Sequence, residues 1–157
     1  MLIGPVQQFD VYCDFRMPYT RNFLEDEFSK DGVDKSFYDG TIWAGHATCR
    51  YLNRNPDIYK MVLQEFDIEP NQKDFDEMYA HGFRHARLQE LFAFAQGPSE
   101  TQDVLKKYHV FALGSTAWIE NHEYCAKVFS AFGRKILQAE HIHSQWFPYN
   151  RFLFVHV

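Results

Sequence analysis

Hydrophobic and polar residues alternate at the start of the chain. In the stretch QQFDVYCDFR every second residue from Phe9 to Phe15 is apolar, and most of the residues between them are polar. Such alternation is typical of a strand with one buried and one solvated face. The final residues, 150–157, are apolar on both sides, as in an inner strand, and 108–114 is rich in strand-forming residues. The pattern predicts strands at both ends of the chain that pair in one sheet.

Helical spacing of apolar residues prevails between these strands. Thr20 suits an N-cap, so a helix is predicted to begin after it. Pro56 and the Gly97-Pro98 pair are expected to end two helices. The other predicted helices cover 41–54, 57–66, 71–96, 99–108 and 116–139. The sequence thus predicts an α+β fold, in which a small mixed or antiparallel sheet of the N-terminal and C-terminal strands packs on five or six helices. An all-α fold is the alternative.

The length of the chain predicts a single globular domain, 1–157, because 157 residues bury a sizeable core and no linker interrupts them. The longest uncharged apolar run, 110–119, is too short to span a bilayer, and the first residues do not resemble a leader peptide. Three widely spaced cysteines favour a reducing compartment. We expect no membrane contact and a cytoplasmic location, in a cell or in an infected host.

The net charge of −5 is concentrated in the first half of the chain. Residues 1–77 contain fifteen Asp or Glu and eight Lys or Arg, whereas 78–157 contain six and eight. No Lys/Arg cluster of the kind that neutralises phosphates is present, so direct binding to nucleic acid is not expected. Aromatic residues make up 18% of the chain, and exposed aromatic side chains often anchor partners.

This composition favours a small binding or regulatory module of the inhibitor type. Its acidic, aromatic-rich surface would dock on a basic partner protein, with electrostatics steering the encounter. Solvated charge on loops and helix starts is the competing interpretation of the same acidic runs. The predicted contacts are Glu25, Asp26, Glu27, Asp31 and Asp34, with Phe37 and Tyr38 as aromatic anchors.

A His-x2-Cys step occurs twice, as His46 with Cys49 and as His122 with Cys125. Residues three apart on a helix lie on the same side, so each pair would present two ligands to one ion. Imidazole nitrogen and thiolate sulfur are favoured ligands of zinc, and four of them complete a closed tetrahedral site. The spacing predicts structural zinc that joins two helices. The competing interpretation is ordinary buried thiols with unrelated histidines and no cofactor.

The remaining histidines support an alternative function, a small metal-dependent hydrolase or nuclease. His81 and His85 are four apart in a predicted helix, and His141 and His143 are two apart near the end of the chain. Clustered imidazoles bind catalytic metals or act as general acids and bases near neutral pH. Glu77 precedes His81 by one turn, but it is about 12 Å from His85 along a helix, so these three residues cannot hold one ion.

Overall fold

The computed structural model describes residues 2–14, 20–38, 43, 57–66 and 69–157. These residues form a seven-stranded β-sheet and four α-helices. The strands are β1 (Leu2–Cys13), β2 (Asp57–Phe66), β3 (Phe83–His85), β4 (His109–Ile119), β5 (His122–Ala131), β6 (Arg134–His141) and β7 (Asn150–His156). The helices are α1 (Arg21–Glu27), α2 (Gln72–Ala80), α3 (Leu88–Ala95) and α4 (Ser99–Lys107), and two short 3-10 turns cover Lys30–Gly32 and Lys35–Tyr38.

The sheet has the strand order β1-β2-β7-β4-β5-β6, and β3 pairs with the second half of β7, on the edge whose first half pairs with β4. All pairs are antiparallel except β4 with β7, which is parallel. The C-terminal strand β7 therefore lies in the middle of the sheet. Its residues from Asn150 to Val155 are all buried, which matches the apolar character of both its sides.

Helices and loops cover both faces of the sheet. On the first face, Leu24 of α1, Leu91 of α3 and Leu105 of α4 pack on the strands in the larger apolar cluster. On the second face, Met78 of α2 belongs to a smaller cluster, and Trp146 from the β6–β7 loop packs against it. Because both faces are covered, the central strands carry apolar residues on both sides.

The predicted balance of helix and sheet is wrong. The described residues contain seven strands and four α-helices, so neither a small sheet under five or six helices nor an all-α fold is correct. The predicted strands at the two ends occur as β1 and β7, and 108–114 lies largely within β4. However, β1 and β7 are not direct neighbours, because β2 lies between them.

Two segments predicted as helices are strands. Residues 57–66 form β2, where Met61 and Leu63 face the first cluster and Val62 faces the second. Burial on both sides removes the alternation that identifies a half-exposed strand. Residues 116–139 form the end of β4, all of β5 and most of β6.

The long helix predicted over 71–96 is interrupted. It consists of α2, the short strand β3 and α3. Gly82 follows α2 with φ 85°, a left-handed conformation that glycine adopts without strain and that ends the helix. The predicted cap of α1 is correct, since the Thr20 hydroxyl accepts a hydrogen bond from the backbone N–H of Phe23 at 3.2 Å.

A buried ion pair joins β3 to α3. The carboxylate of Glu90, whose side chain is 0% exposed, accepts two hydrogen bonds of 2.7 Å from the Arg84 guanidinium. It also accepts the backbone N–H of Arg87 at 2.9 Å, at the start of α3. All three donors satisfy one carboxylate, so the charge is buried with its partners in place.

We predict that replacing Glu90 with Ala lowers the free energy of unfolding by about 3–5 kcal/mol, because Arg84 loses its partner in a largely buried position. Chemical denaturation at neutral pH measures the difference. The matched control is Asp103→Ala, which removes the exposed pair of Asp103 with Lys106 at 3.7 Å. This control should change stability by less than about 1 kcal/mol, and equal effects of the two substitutions would contradict the prediction.

Candidate functional site

The turn of the β5–β6 hairpin exposes a large aromatic side chain. Phe132 is 99% exposed and has φ 54°, and the next residue, Gly133, has φ 75°. Two-residue hairpin turns of this kind require positive φ at both positions, which suits glycine, asparagine and aspartate. Phenylalanine is unfavourable here for two reasons, because its ring is solvated and its backbone is left-handed.

A groove of about 600 Å³ lies beside this turn. Its lining includes Asp26 from α1, Lys106 from α4, and Phe132 and Arg134 from the hairpin. The rim therefore carries charges of both signs around one aromatic ring. We refer to the Phe132 turn and this groove together as the hairpin-tip surface.

The acidic segment after α1 runs along the free edge of β6. The backbone N–H of Ser29 donates to the carbonyl of Lys135 at 2.8 Å, and that of Asp34 donates to the carbonyl of Leu137 at 3.0 Å. Val33 forms a parallel bridge with Leu137. This segment protects the sheet edge and places the predicted acidic residues on the same side of the molecule as the hairpin-tip surface.

The five acidic residues predicted as partner contacts differ in exposure. Asp26 and Asp31 are exposed, whereas the other three are partly buried and have partners within the chain. These contacts are Glu25 with Arg21 at 3.2 Å, Glu27 with Lys135 at 3.1 Å, and Asp34 with the backbone N–H of Ser36 at 3.0 Å. The acidic surface available to a partner is therefore smaller than the residue count implies.

The two predicted aromatic anchors do not lie free on the surface. Phe37 is 3% exposed and stacks on Trp43 with ring centroids 4.8 Å apart, so it belongs to the core. Tyr38 is partly buried, and the Arg21 guanidinium lies 4.5 Å from its ring centroid. The exposed aromatic residue on this side is Phe132, which the sequence analysis missed because 116–139 was assigned to a helix. The signal for it was an aromatic residue directly before Gly133.

One half of the predicted zinc site can be placed. His46 and Cys49 lie outside the described residues. His122 and Cys125 are on β5, where residues three apart point to opposite faces, so His122 is exposed and Cys125 is buried. Burial raises the pKa of the Cys125 thiol to about 12, so the free thiol is protonated near neutral pH. Across the part of the chain that the structure describes, no group of three or more His, Cys, Asp or Glu side chains is arranged to hold a metal.

Three histidines meet at the other end of the β5–β6 hairpin. The ring atoms His141 Nε2 and His122 Nδ1 are 3.3 Å apart, and the backbone N–H of His143 donates to His141 Nδ1 at 3.1 Å. Because Nδ1 of His141 accepts a hydrogen bond, its proton is on Nε2, which donates to His122. Both nitrogens of His141 are occupied, so in this arrangement His141 offers no lone pair to a metal ion.

The other two predicted catalytic histidines lie elsewhere. Nδ1 of His81 is 2.8 Å from the carbonyl oxygen of Glu77 at the end of α2. His85 lies on β3 among aromatic rings, stacked on Phe154 at 4.7 Å and edge-on to Phe75 at 4.7 Å. Burial lowers the pKa of His85 to about 4, so its imidazole is neutral near pH 7. It acts in packing rather than in proton transfer.

Comparisons of the chain with models of protein families, with curated proteins and with solved structures find no match. None of the helices that the structure describes is both long and apolar enough to cross a membrane. The assignment of function therefore depends on the geometry of the described side chains.

The buried His85 predicts a loss of stability in acid. Its pKa is lower in the folded protein than the value of about 6.5 in the unfolded chain, so the unfolded state binds the proton first. The stabilising effect of its neutral form is complete above pH 6.5 and is lost as the pH falls toward 4. In wild type this proton uptake should lower the free energy of unfolding by up to about 3 kcal/mol between neutral pH and pH 4. The variant His85→Phe preserves the ring packing and should not show this decrease.

Denaturation curves at pH 7.5, 6 and 4.5 would measure the effect, with the exposed His81→Gln as the control that keeps the wild-type dependence. His109 is also partly buried, and burial lowers its pKa to about 4, so some acid sensitivity should remain in the variant. The same pH dependence in wild type and His85→Phe would show that His85 does not contribute.

Proposed function

We propose that this protein is a binding module that docks on a partner protein by inserting Phe132 into an apolar pocket of that partner. The observation that carries the proposal is the 99% exposure of this ring at a turn position with φ 54°. An unpartnered aromatic side chain at such a position destabilises the free protein, and burial in a partner would reverse the solvation part of that effect.

The surroundings of Phe132 support the same use. Binding interfaces commonly have an aromatic centre within a polar rim that excludes water from it. At the hairpin-tip surface the rim contains exposed Asp26, Lys106 and Arg134. Phe132 lies at the turn between β5 and β6 and is 99% exposed, so a concave partner surface can reach the ring.

Asp26 and Asp31, the two exposed residues of the predicted acidic set, would face basic groups of the partner, whereas Lys106 and Arg134 on the rim would face acidic ones. Such charges mainly increase the association rate, while the aromatic anchor determines how long the complex lasts. A module of this type regulates by occupying a functional surface of its partner, which is the mode of an inhibitor. We propose the cytoplasm as its compartment, because Cys13 and Cys125 are buried free thiols.

The histidines favour this proposal over a metal-dependent hydrolase or nuclease. Of the four histidines predicted for catalysis, His141 and His143 are joined by a hydrogen bond that occupies the first ring, and His85 is packed in an aromatic cluster. His122, predicted as a zinc ligand, instead accepts a hydrogen bond from His141. These contacts support a structural role for the histidine group.

Replacing Phe132 with Asn should strengthen the fold and weaken the complex. Asparagine tolerates the left-handed conformation, so the free energy of unfolding should rise by up to about 1 kcal/mol. Partner affinity should fall by at least about tenfold, as for a central aromatic anchor. A photo-crosslinking phenylalanine analogue at position 132 would first identify the partner in cells, and calorimetry with the purified partner would then give the affinities.

Trp118→Gln is the matched control, because Trp118 is 69% exposed on the β4–β5 hairpin at the opposite end of these strands. Its affinity for the partner should stay within about twofold of wild type. If Phe132→Asn destabilises the protein and leaves the affinity unchanged, the ring has a structural role and the proposal fails.

Charge reversal tests the electrostatic part of the proposal. The double variant Asp26→Lys and Asp31→Lys should lower the association rate for the same partner by roughly tenfold at low salt, with little change in the dissociation rate. The difference should decrease as salt is added, because exposed charges are screened. Stopped-flow association at two ionic strengths measures this, and an unchanged rate would remove the basic partner from the proposal.

A further inference from the structure

The outer face of the β1–β2 pair exposes two apolar side chains that lie side by side. Tyr12 is 62% exposed and Ile58 is 63% exposed, and they are directly opposite each other in the antiparallel register of the two strands. Side chains in this relation have Cβ atoms about 4.5–5.5 Å apart, so the two form one continuous patch. The patch is on the second face of the sheet, because the alternating residues Val11 and Tyr59 belong to the larger cluster on the first face.

A pair of opposite charges adjoins this patch. Asp10 and Lys60 are also directly opposite each other, and both side chains are exposed. They lie on the same face as Tyr12 and Ile58, because side chains two apart along a strand point to the same side. This face therefore carries an apolar row across the two strands and, next to it, a row of one acidic and one basic group.

We propose that this face is the interface of a homodimer, in which the β1–β2 pair of one copy packs on that of a second copy. A two-fold axis that runs parallel to the strands, above the midline between β1 and β2, exchanges the two strands. It places Tyr12 on Ile58 of the second copy and Asp10 on Lys60 of the second copy, and each contact recurs in reverse. The strands of the two sheets would be aligned, which is one of the two usual arrangements of packed sheets.

The charge pattern favours a second copy of the chain as the occupant. Because the face contributes one acid and one base, two identical faces attract each other in the arrangement described. A two-fold axis perpendicular to the strands would instead place the charged row on the apolar row, so the pattern selects one arrangement. The contact is small, and the dimer should therefore be weak and depend on protein concentration.

Pairing of two β1 edges is the other way in which copies could associate, and Asp10 disfavours it. β1 is the outermost strand at one side of the described sheet, and its regular part runs from Gln7 to Cys13 with Asp10 at the centre. An antiparallel pair of edges centred there would place two Asp10 carboxylates opposite each other, and like charges in that relation are destabilising. The face, rather than the edge, is therefore suited to a second copy.

Analytical ultracentrifugation tests for the dimer. The mass of the wild-type particle should rise from one chain toward two between about 10 µM and 1 mM, as for a small interface. Ile58→Thr keeps a β-branched residue in the strand and should weaken the dimer by at least about tenfold. Trp118→Gln is the matched control, because Trp118 is 69% exposed on β4, and this variant should dimerise like wild type.

Mixing two charge variants tests the arrangement itself. Asp10→Lys gives the face two basic groups, and Lys60→Asp gives it two acidic groups, so each variant alone should dimerise at least about tenfold more weakly than wild type. An equal mixture of the two should form a heterodimer about as strong as the wild-type dimer, because every acid then meets a base of the other chain. Attraction between Asp10 and Lys60 within one chain cannot produce this result.

Circular dichroism verifies that each variant is folded, and Tyr12→Ser removes the other half of the patch if Ile58→Thr does not fold. A wild-type protein that stays monomeric over the whole range, a patch variant that dimerises like wild type, or a mixture without heterodimer would each overturn the proposal. Phe132→Asn should dimerise like wild type, so failure of the dimer would leave the proposed partner binding unaffected.

Discussion

The position of β7 in the middle of the sheet is the constraint on which the rest of the structure depends. One edge of this strand pairs with β2, and the other pairs with β4 in its first half and with β3 in its second half. The N-terminal pair of strands and the β4–β5–β6 meander are therefore joined through the last strand of the chain. Because Leu153 and Phe154 face opposite clusters, a register shift of one residue would exchange the contents of the two cores.

Helices and loops cover the two faces of the sheet to different extents. The first face is filled by α1, α3 and α4, so its apolar residues are used within the fold. Phe132, the most exposed aromatic ring among the described residues, lies at the turn beyond the strands. The second face is covered by one helix and the β6–β7 loop, and this thinner cover leaves a pocket beneath Trp146. The β5–β6 turn therefore projects the side chain of Phe132 outward, whereas the second face contains a small pocket.

The strands predicted correctly from the sequence were β1 and β7 at the two ends of the chain and part of β4. β1 has one solvated side, so alternation revealed it, and Thr20 marked the start of α1 because capping is a local property. β2, β5 and β6 were missed because each is covered on both sides or carries long amphipathic side chains. One of these is Lys127, whose Nζ lies 5.7 Å from the centroid of the Phe111 ring. Strands of this kind have the composition of a helix, and their pairing is decided by distant residues.

The candidate sites were predictable to a smaller extent than the fold. Counts of acidic residues do not reveal which carboxylates are paired, and Glu27 is paired with Lys135, more than a hundred positions along the chain. The His-x2-Cys argument required a helix, and on a strand the same spacing separates His122 from Cys125. Phe132 depends on a hairpin turn, so its exposure becomes visible only after the strands on both sides are known.

Glu90 and Phe132 are both in unfavourable positions, but the fold compensates only for that of Glu90. Glu90 is buried and charged, yet three donors satisfy it, so its burial is explained entirely by the fold. Phe132 conflicts with both its conformation and its solvation, and no contact within the described residues compensates for either. Conflicts that the fold does not resolve are expected where another molecule does so.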